Sequence, residues 1–314
     1  MAKLYVEEWQ AHYGAPLQVD GDDADAAGVL AEDSPTFAIT PEPSADPDRL
    51  AFVDGVRRGD AFLYLEDPDT HALAYGVAGA HACGAVLCAG GPPRIDHIRV
   101  DRLAIWGSGQ SADLPPGPAG YAWRSVSISD TDHDAPLRNL QKRMRGAEGK
   151  LAEQLAEDGW TVVCDGPLNF ARSTDLPVCG FVKTHHRPLL PVEDRPLIAE
   201  LDRAQRTPLY AISDRYSCYL RLTGRGPWHG IARIEFPQSA GITEARRVAD
   251  QMTLVLPRYA GVAHVDPRAP QNLQPIGALE TQLSHRLGHP RQAALAVRAA
   301  AAAARVTTPV QGAR

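Results

Sequence analysis

Apolar and polar residues follow three different rhythms along the chain. Residues 1–15 read as a short helix, and residues 16–48 are rich in Asp, Ala, Ser and Pro, which predicts a mobile linker or surface arm. Regular patterning begins at Arg49. Leu50-Ala-Phe-Val-Asp54-Gly55 predicts a short apolar strand ending at an acid and a turn glycine, and Ala61–Leu65 a second strand. Residues 72–88 and 94–106 alternate or run apolar between Gly and Pro punctuation, as further antiparallel strands of a meander would.

The period then changes. Leu137, Leu140, Met144, Ala147, Leu151 and Leu155 recur at spacings of three and four, which predicts a helix over 134–158 closed by Asp158-Gly159. Trp160-Thr-Val-Val-Cys-Asp165-Gly166-Pro167 reads as a buried strand that ends, like the first, in an acid and a turn. Strands are predicted at 178–183, 216–222 and 229–236, and helices at 242–255, 275–287 and 290–305. The last helix is alanine-rich, and the tail from Thr307 is expected to fray.

An acid-tipped strand, a meander, a long helix and a second acid-tipped strand form the order of an RNase H-like core. In that fold the first and fourth strands lie side by side in parallel, and the helix makes the right-handed crossover between them. The expectation is therefore an α/β protein: an RNase H-like mixed sheet flanked by helices, with an N-terminal arm and C-terminal helical additions.

Composition adds bounds. The chain has 314 residues, 44% of them hydrophobic and 22% charged, with a net charge of −6. That profile suits a globular protein and offers no global attraction to nucleic acid, although a local basic groove needs none. Five cysteines without a CxxC pair read as reduced thiols of a cytoplasmic protein. The N-terminus lacks the apolar stretch of a signal peptide, and no apolar run reaches the roughly 20 residues of a membrane span.

Two acids at neighbouring strand ends suggest hydrolysis of phosphodiesters. Hard divalent cations supply an activated water and stabilise charge on the attacking and leaving oxygens, and they need several convergent carboxylates. Asp54 and Asp165 are the candidates, although Asp-Gly is also a common turn signal.

The residues around both acids resemble the NurA nucleases. Val53-Asp54-Gly55-Val56-Arg57-Arg58 is similar to the first motif of that family and Asp165-Gly166-Pro167-Leu168 to the second. Val178-Cys-Gly-Phe-Val-Lys183, Tyr219-Leu-Arg-Leu222 and Ile231-Ala-Arg-Ile-Glu-Phe-Pro237 resemble later segments, so the likeness spans residues 49–290. It implies a manganese- or magnesium-dependent DNA nuclease with two ions, dimeric, acting in end resection beside a hexameric HerA-type ATPase. The domain would cover 49–306, after an N-terminal helix and acidic arm over 1–48 and before a flexible tail at 307–314.

The resemblance also implies a metal-binding glutamate on the helix before Asp165. Glu148 fits best by spacing, with Glu153 and Glu157 as rivals. Where the family carries a histidine near the C-terminus, this chain has Asn272-Leu-Gln-Pro-Ile-Gly-Ala-Leu-Glu280. Glu280 stands at the histidine position and Asn272 at a tyrosine position; a carboxylate still suits manganese or magnesium. His285 is the alternative ligand. Arg57 and Arg58, just beyond Asp54, are candidate contacts to the scissile phosphate, and Lys183, His185 and Arg187 to the DNA backbone. Arg221 reads either as a buried ion-pair partner or as a DNA contact. No Walker A pattern occurs, so ATP hydrolysis would fall to a partner. Two rival readings remain: a degenerate subunit that only clamps DNA or a translocase, and a related nuclease acting on RNA, flaps or recombination intermediates.

Overall fold

A computed structural model describes residues 3–6, 28–67, 70–168, 177–183, 189–224, 226 and 228–306. In chain order the first elements are β1 (Lys3–Val6), β2 (Val29–Leu30), β3 (Leu50–Glu66), β4 (Leu73–Cys88), β5 (Arg94–Trp106) and β6 (Arg124–Ser127). Then follow α1 (Ala135–Glu157), β7 (Thr161–Asp165), β8 (Val178–Val182), α2 (Arg195–Ile198) and β9 (Tyr210–Ile212). The remainder is β10 (Arg215–Arg221), β11 (Ile231–Pro237), α3 (Ile242–Val255), α4 (Gln274–Arg286) and α5 (Pro290–Val306).

All the described strands join one mixed sheet in the order β2-β9-β10-β11-β8-β7-β3-β4-β5-β6, with β1 added to β3. The run β8-β7-β3-β4-β5 has the order and directions expected of the RNase H-like core: β3, β7 and β8 are parallel, and β4 and β5 follow β3 antiparallel. Helix α1 makes the crossover and covers one face, where Leu151 and Leu155 pack on Val53, Ala85 and Val162. The opposite face carries Phe52, Ala82 and Phe181 and is closed by Met252 of α3 and Ile276, Leu279 and Leu283 of α4. The alanine-rich α5 packs small buried side chains, among them Ala293, Ala296 and Ala300, against Trp106 and Trp123.

Two expectations need correction. The segment containing Asp54-Gly55 is no turn: β3 is a single 17-residue strand, broken only by a bulge between Gly59 and Ala61. A long hairpin partner decides this, because β4 pairs with β3 from Leu50 to Glu66 and gives the backbone a ladder in place of a turn. Lys3–Val6, expected to be helical, is a strand paired with Leu63–Glu66 of β3. The flank of β3 is free there because β7 has already ended, and an alternating segment that buries Leu4 fills it.

Residues 28–48 are a docked strap. Strand β2 pairs with β9, and Ile39 exchanges backbone hydrogen bonds with Arg206. Glu32 accepts from both terminal nitrogens of the fully buried Arg206, at 2.6 and 2.9 Å, and from the Leu209 N–H at 3.0 Å. Asp46 pairs with Arg258. Of the acids that made this stretch read as a solvated linker, Glu32 is the partner of a buried arginine and Asp46 of an exposed one. The expected tail, 307–314, lies outside the described residues.

Candidate metal centre

Register brings the two strand acids together. Val53 of β3 is paired with Cys164 of β7, so the next residue on each strand, Asp54 and Asp165, stands beside the other. Strand β7 ends at Asp165 while β3 continues, which leaves a notch in the sheet beside the acids. Asp54 therefore lies within its strand, not at the strand end expected. Gly166 turns the chain sharply away with a φ of +93°, a region that side chains disfavour.

Glu280 comes down from α4 on the face that Asp54 shares with Phe52. One carboxylate oxygen from each of Asp54, Asp165 and Glu280 lies within 4.8 Å of the others. Glu148 stands beside these acids on α1 and is not one of the three; Asp54 and Glu148 are 3% and 5% exposed. Its carboxylate sits against the backbone of Gly55, in space that a Cβ at that position would take. The rivals Glu153 and Glu157 are half-buried and exposed on other flanks of the same helix.

The electrostatics are those of crowded anions. Burial, and then repulsion from Asp165, Glu148 and Glu280, hold the Asp54 carboxyl well above the usual carboxylate range. Burial pushes Glu148 up to about 7, against the opposing pull of Arg145 and with a further push from Asp165. Among the acids of this site, Asp54 Oδ2, Glu148 Oε1 and Asp165 Oδ1 are buried without a hydrogen-bond donor. An ionised carboxylate only accepts, so such oxygens are satisfied by a cation or by protons. A hard divalent ion fits that all-oxygen donor set.

Several cations frame the acids. Arg145 donates to Glu148 at 2.9 Å and to the Asp165 carbonyl at 2.7 Å, fixing α1 against the end of β7. Lys183 Nζ lies 2.8 Å from Asp165 Oδ2 and 2.6 Å from Asn272 Oδ1. Asn272 in turn donates to Asp266 at 2.6 Å and to Glu280 at 3.4 Å. Arg268 bridges Asp266 and Glu280, at 3.0 and 2.6 Å to the two Glu280 oxygens.

Other sequence expectations fare unevenly. Lys183 turns inward to the acids. Arg58 is a structural residue: it pairs with Asp60 at 2.6 Å and donates to the Gly288 and Leu287 carbonyls at 2.6 and 3.1 Å, capping α4. Arg57 lies on the opposite sheet face from Asp54, bonded to Gln141 and within reach of the Arg145 charge. His285 is exposed and outside the acid cluster, because five residues along a helix turn it well away from Glu280. His185 and Arg187 lie outside the described residues. Arg221 spends its guanidinium on three backbone carbonyls, those of Gly226, His229 and Ala199. All five cysteines are free.

Sequence reasoning missed Arg145, Asp266 and Arg268. Arg145 was signalled by its position three before Glu148, the spacing of a helix-face pair. Asp266 and Arg268 sit in a loop with no periodic pattern, and their role depends on where α4 lands.

No known family model matches the chain, and no curated protein does. Among solved structures, it is similar to the NurA nuclease from Sulfolobus solfataricus, with 10% identity and a TM-score of 0.46 over 80% of this chain and 85% of that one.

Proposed function

We propose that this chain is a metal-dependent nuclease acting on DNA, with Asp54 and Asp165 as the principal ligands and Glu148 and Glu280 completing the site. One observation carries the reading: carboxylate oxygens of Asp54, Asp165 and Glu280, from three separate elements, lie within 4.8 Å of one another, and Asp54 and Asp165 each keep a buried oxygen without a donor. Manganese or magnesium, as a pair of ions, would supply the activated water and the charge stabilisation that phosphodiester hydrolysis requires. The protein's own share is positioning. Strands β3 and β7 fix the aspartates, Arg145 orients Glu148, and Lys183 offers a cation beside Asp165 that suits a non-bridging phosphate oxygen. The motif resemblance supports DNA over RNA, a homodimer, and work beside a HerA-type ATPase in end resection.

The test is cleavage of end-labelled DNA and RNA by the purified chain with manganese, magnesium or EDTA. Manganese-dependent loss of DNA, abolished in Asp54→Ala and Asp165→Ala, is the expected result. Equal cleavage by wild type and Asp54→Ala would overturn the reading. A second reading, a subunit that holds DNA or a translocase without cutting, is favoured by the double hydrogen bond between Arg268 and Glu280. It expects DNA binding with no cleavage in any metal.

A further inference from the structure

Glu280 differs from the other acids of the cluster. Asp54, Glu148 and Asp165 each keep one oxygen without a donor, whereas both oxygens of Glu280 are taken by Arg268. The grip is itself buttressed. Asp266 accepts from Arg268 Nε at 3.1 Å, from Nη2 at 3.0 Å and from the Arg268 backbone N–H at 2.8 Å. Asp266 also accepts from Asn272, and hydrogen bonds from Arg268 and Asn272 hold its carboxyl far below the usual range. The guanidinium is thus flat against two carboxylates, on the solvent side of the site: its side chain is 56% exposed and that of Glu280 22%.

We infer that Arg268 is a positioning residue that withholds Glu280 from metal until a phosphodiester of the substrate takes Glu280's place on the guanidinium. The inference rests on the metal-nuclease reading and adds an order of loading to it. The planar fork of an arginine matches carboxylate and phosphate oxygens with the same pair of parallel hydrogen bonds, so one anion can replace the other without moving the fork. An ion held by Glu280 would face the positive charge of Arg268 at short range, whereas the donor-free oxygens of Asp54 and Asp165 are not held by Arg268. In free protein, one ion loads on the donor-free oxygens of Asp54 and Asp165. When DNA is bound, Arg268 holds the phosphate, Glu280 is released and a second ion binds. Metal binding and substrate binding are then coupled, and the coupling is reciprocal.

The experiment is calorimetric titration of manganese into the metal-free full chain, without DNA and with a single-stranded phosphorothioate oligonucleotide that resists cleavage. Wild type is expected to bind one ion alone and two with the oligonucleotide. Arg268→Ala is expected to bind the second ion without DNA, about tenfold tighter than wild type does. Arg268→Lys keeps the charge but loses the fork, and should fall between the two. Glu280→Gln should bind one ion under both conditions. An Arg268→Ala protein that melts like wild type and matches its DNA-free manganese stoichiometry and affinity overturns the inference, as does a wild type that binds two ions equally without DNA. Asp54→Asn separates the two levels: if it binds manganese as wild type does, the metal centre itself is wrong, whatever Arg268 does.

Discussion

Val53 and Cys164 are a registered pair of two parallel strands, and their pairing sets Asp54 beside Asp165. The acids cannot relax apart without breaking the ladder, so repulsion between them is held in the fold of the metal-free protein. Sites of this kind cost stability until a cation arrives.

Asp54→Asn should therefore stabilise the metal-free protein, and the gain should depend on pH. The Asp54 carboxyl is held well above the usual range and Glu148 at about 7. A carboxyl with a raised folded pKa binds its proton more tightly folded than unfolded. Its penalty is absent below the unfolded value of about 4 and grows as pH rises toward the folded value. In EDTA the two proteins should melt together near pH 4, and the variant several degrees higher at pH 8. Excess manganese should reverse the order by stabilising wild type alone. A variant that melts below wild type in EDTA at pH 8 would show that the acids are satisfied within the protein.

Gly55 sets the place of Glu148. A Cβ there would displace the Glu148 carboxylate and approach Met144 at 3.0 Å and the Ala82 carbonyl at 3.1 Å. Gly55→Ala should lower manganese affinity and cost about 1–3 kcal/mol in stability. Gly146→Ala, within α1 itself and with open space around its Cβ, is the control and should stabilise by up to about 1 kcal/mol. Equal manganese affinity in both variants would remove Glu148 from the site.

Much of this was legible in the sequence. Period-two runs, the long period-3.6 stretch and two acids after apolar strands fix the order β3 to β8 and place Asp54 near Asp165. What escaped depended on contacts distant in sequence. Asp54-Gly55 carries a turn signal that only the pairing with β4 cancels. Glu32 reads as solvated until Arg206 is brought to it from the far side of the fold. Arg58, adjacent to a motif acid, reads as a phosphate contact because nothing local announces that the end of α4 will arrive over it.

That last point gives a discriminating variant. Arg58 satisfies two carbonyls at the C-terminus of the helix that carries Glu280, where a positive charge is favourable. Arg58→Ala leaves these carbonyls and Asp60 short of a donor and should cost about 1–3 kcal/mol. DNA affinity in EDTA, and its dependence on salt, should stay as in wild type. A phosphate contact would instead flatten the salt dependence by about one counterion, with little change in melting.

The strap over 28–48 makes a separate prediction, because its anchor is a buried charge pair. Burial alone would raise the Glu32 carboxyl, but Arg206, the Leu209 N–H and Arg246 bring it below its usual value. A lowered folded pKa means the contribution is present above the unfolded value of about 4 and is lost as pH falls further. Glu32→Gln leaves Arg206, fully buried, with Asp250 as its remaining carboxylate partner. Breaking one side of such a pair costs about 3–5 kcal/mol. The strap also holds β2 beside β9 as the edge strand of the sheet. Limited proteolysis should therefore cut Glu32→Gln within 28–48 much faster than wild type at pH 7. The two should converge toward pH 3, where Glu32 is protonated in both contexts. Since the strap touches none of the acids in the notch, manganese affinity at pH 7 should be unchanged in molecules that remain folded. Identical proteolysis of wild type and Glu32→Gln at pH 7 would mean that β2 and the Ile39–Arg206 backbone pair hold the strap without the charge.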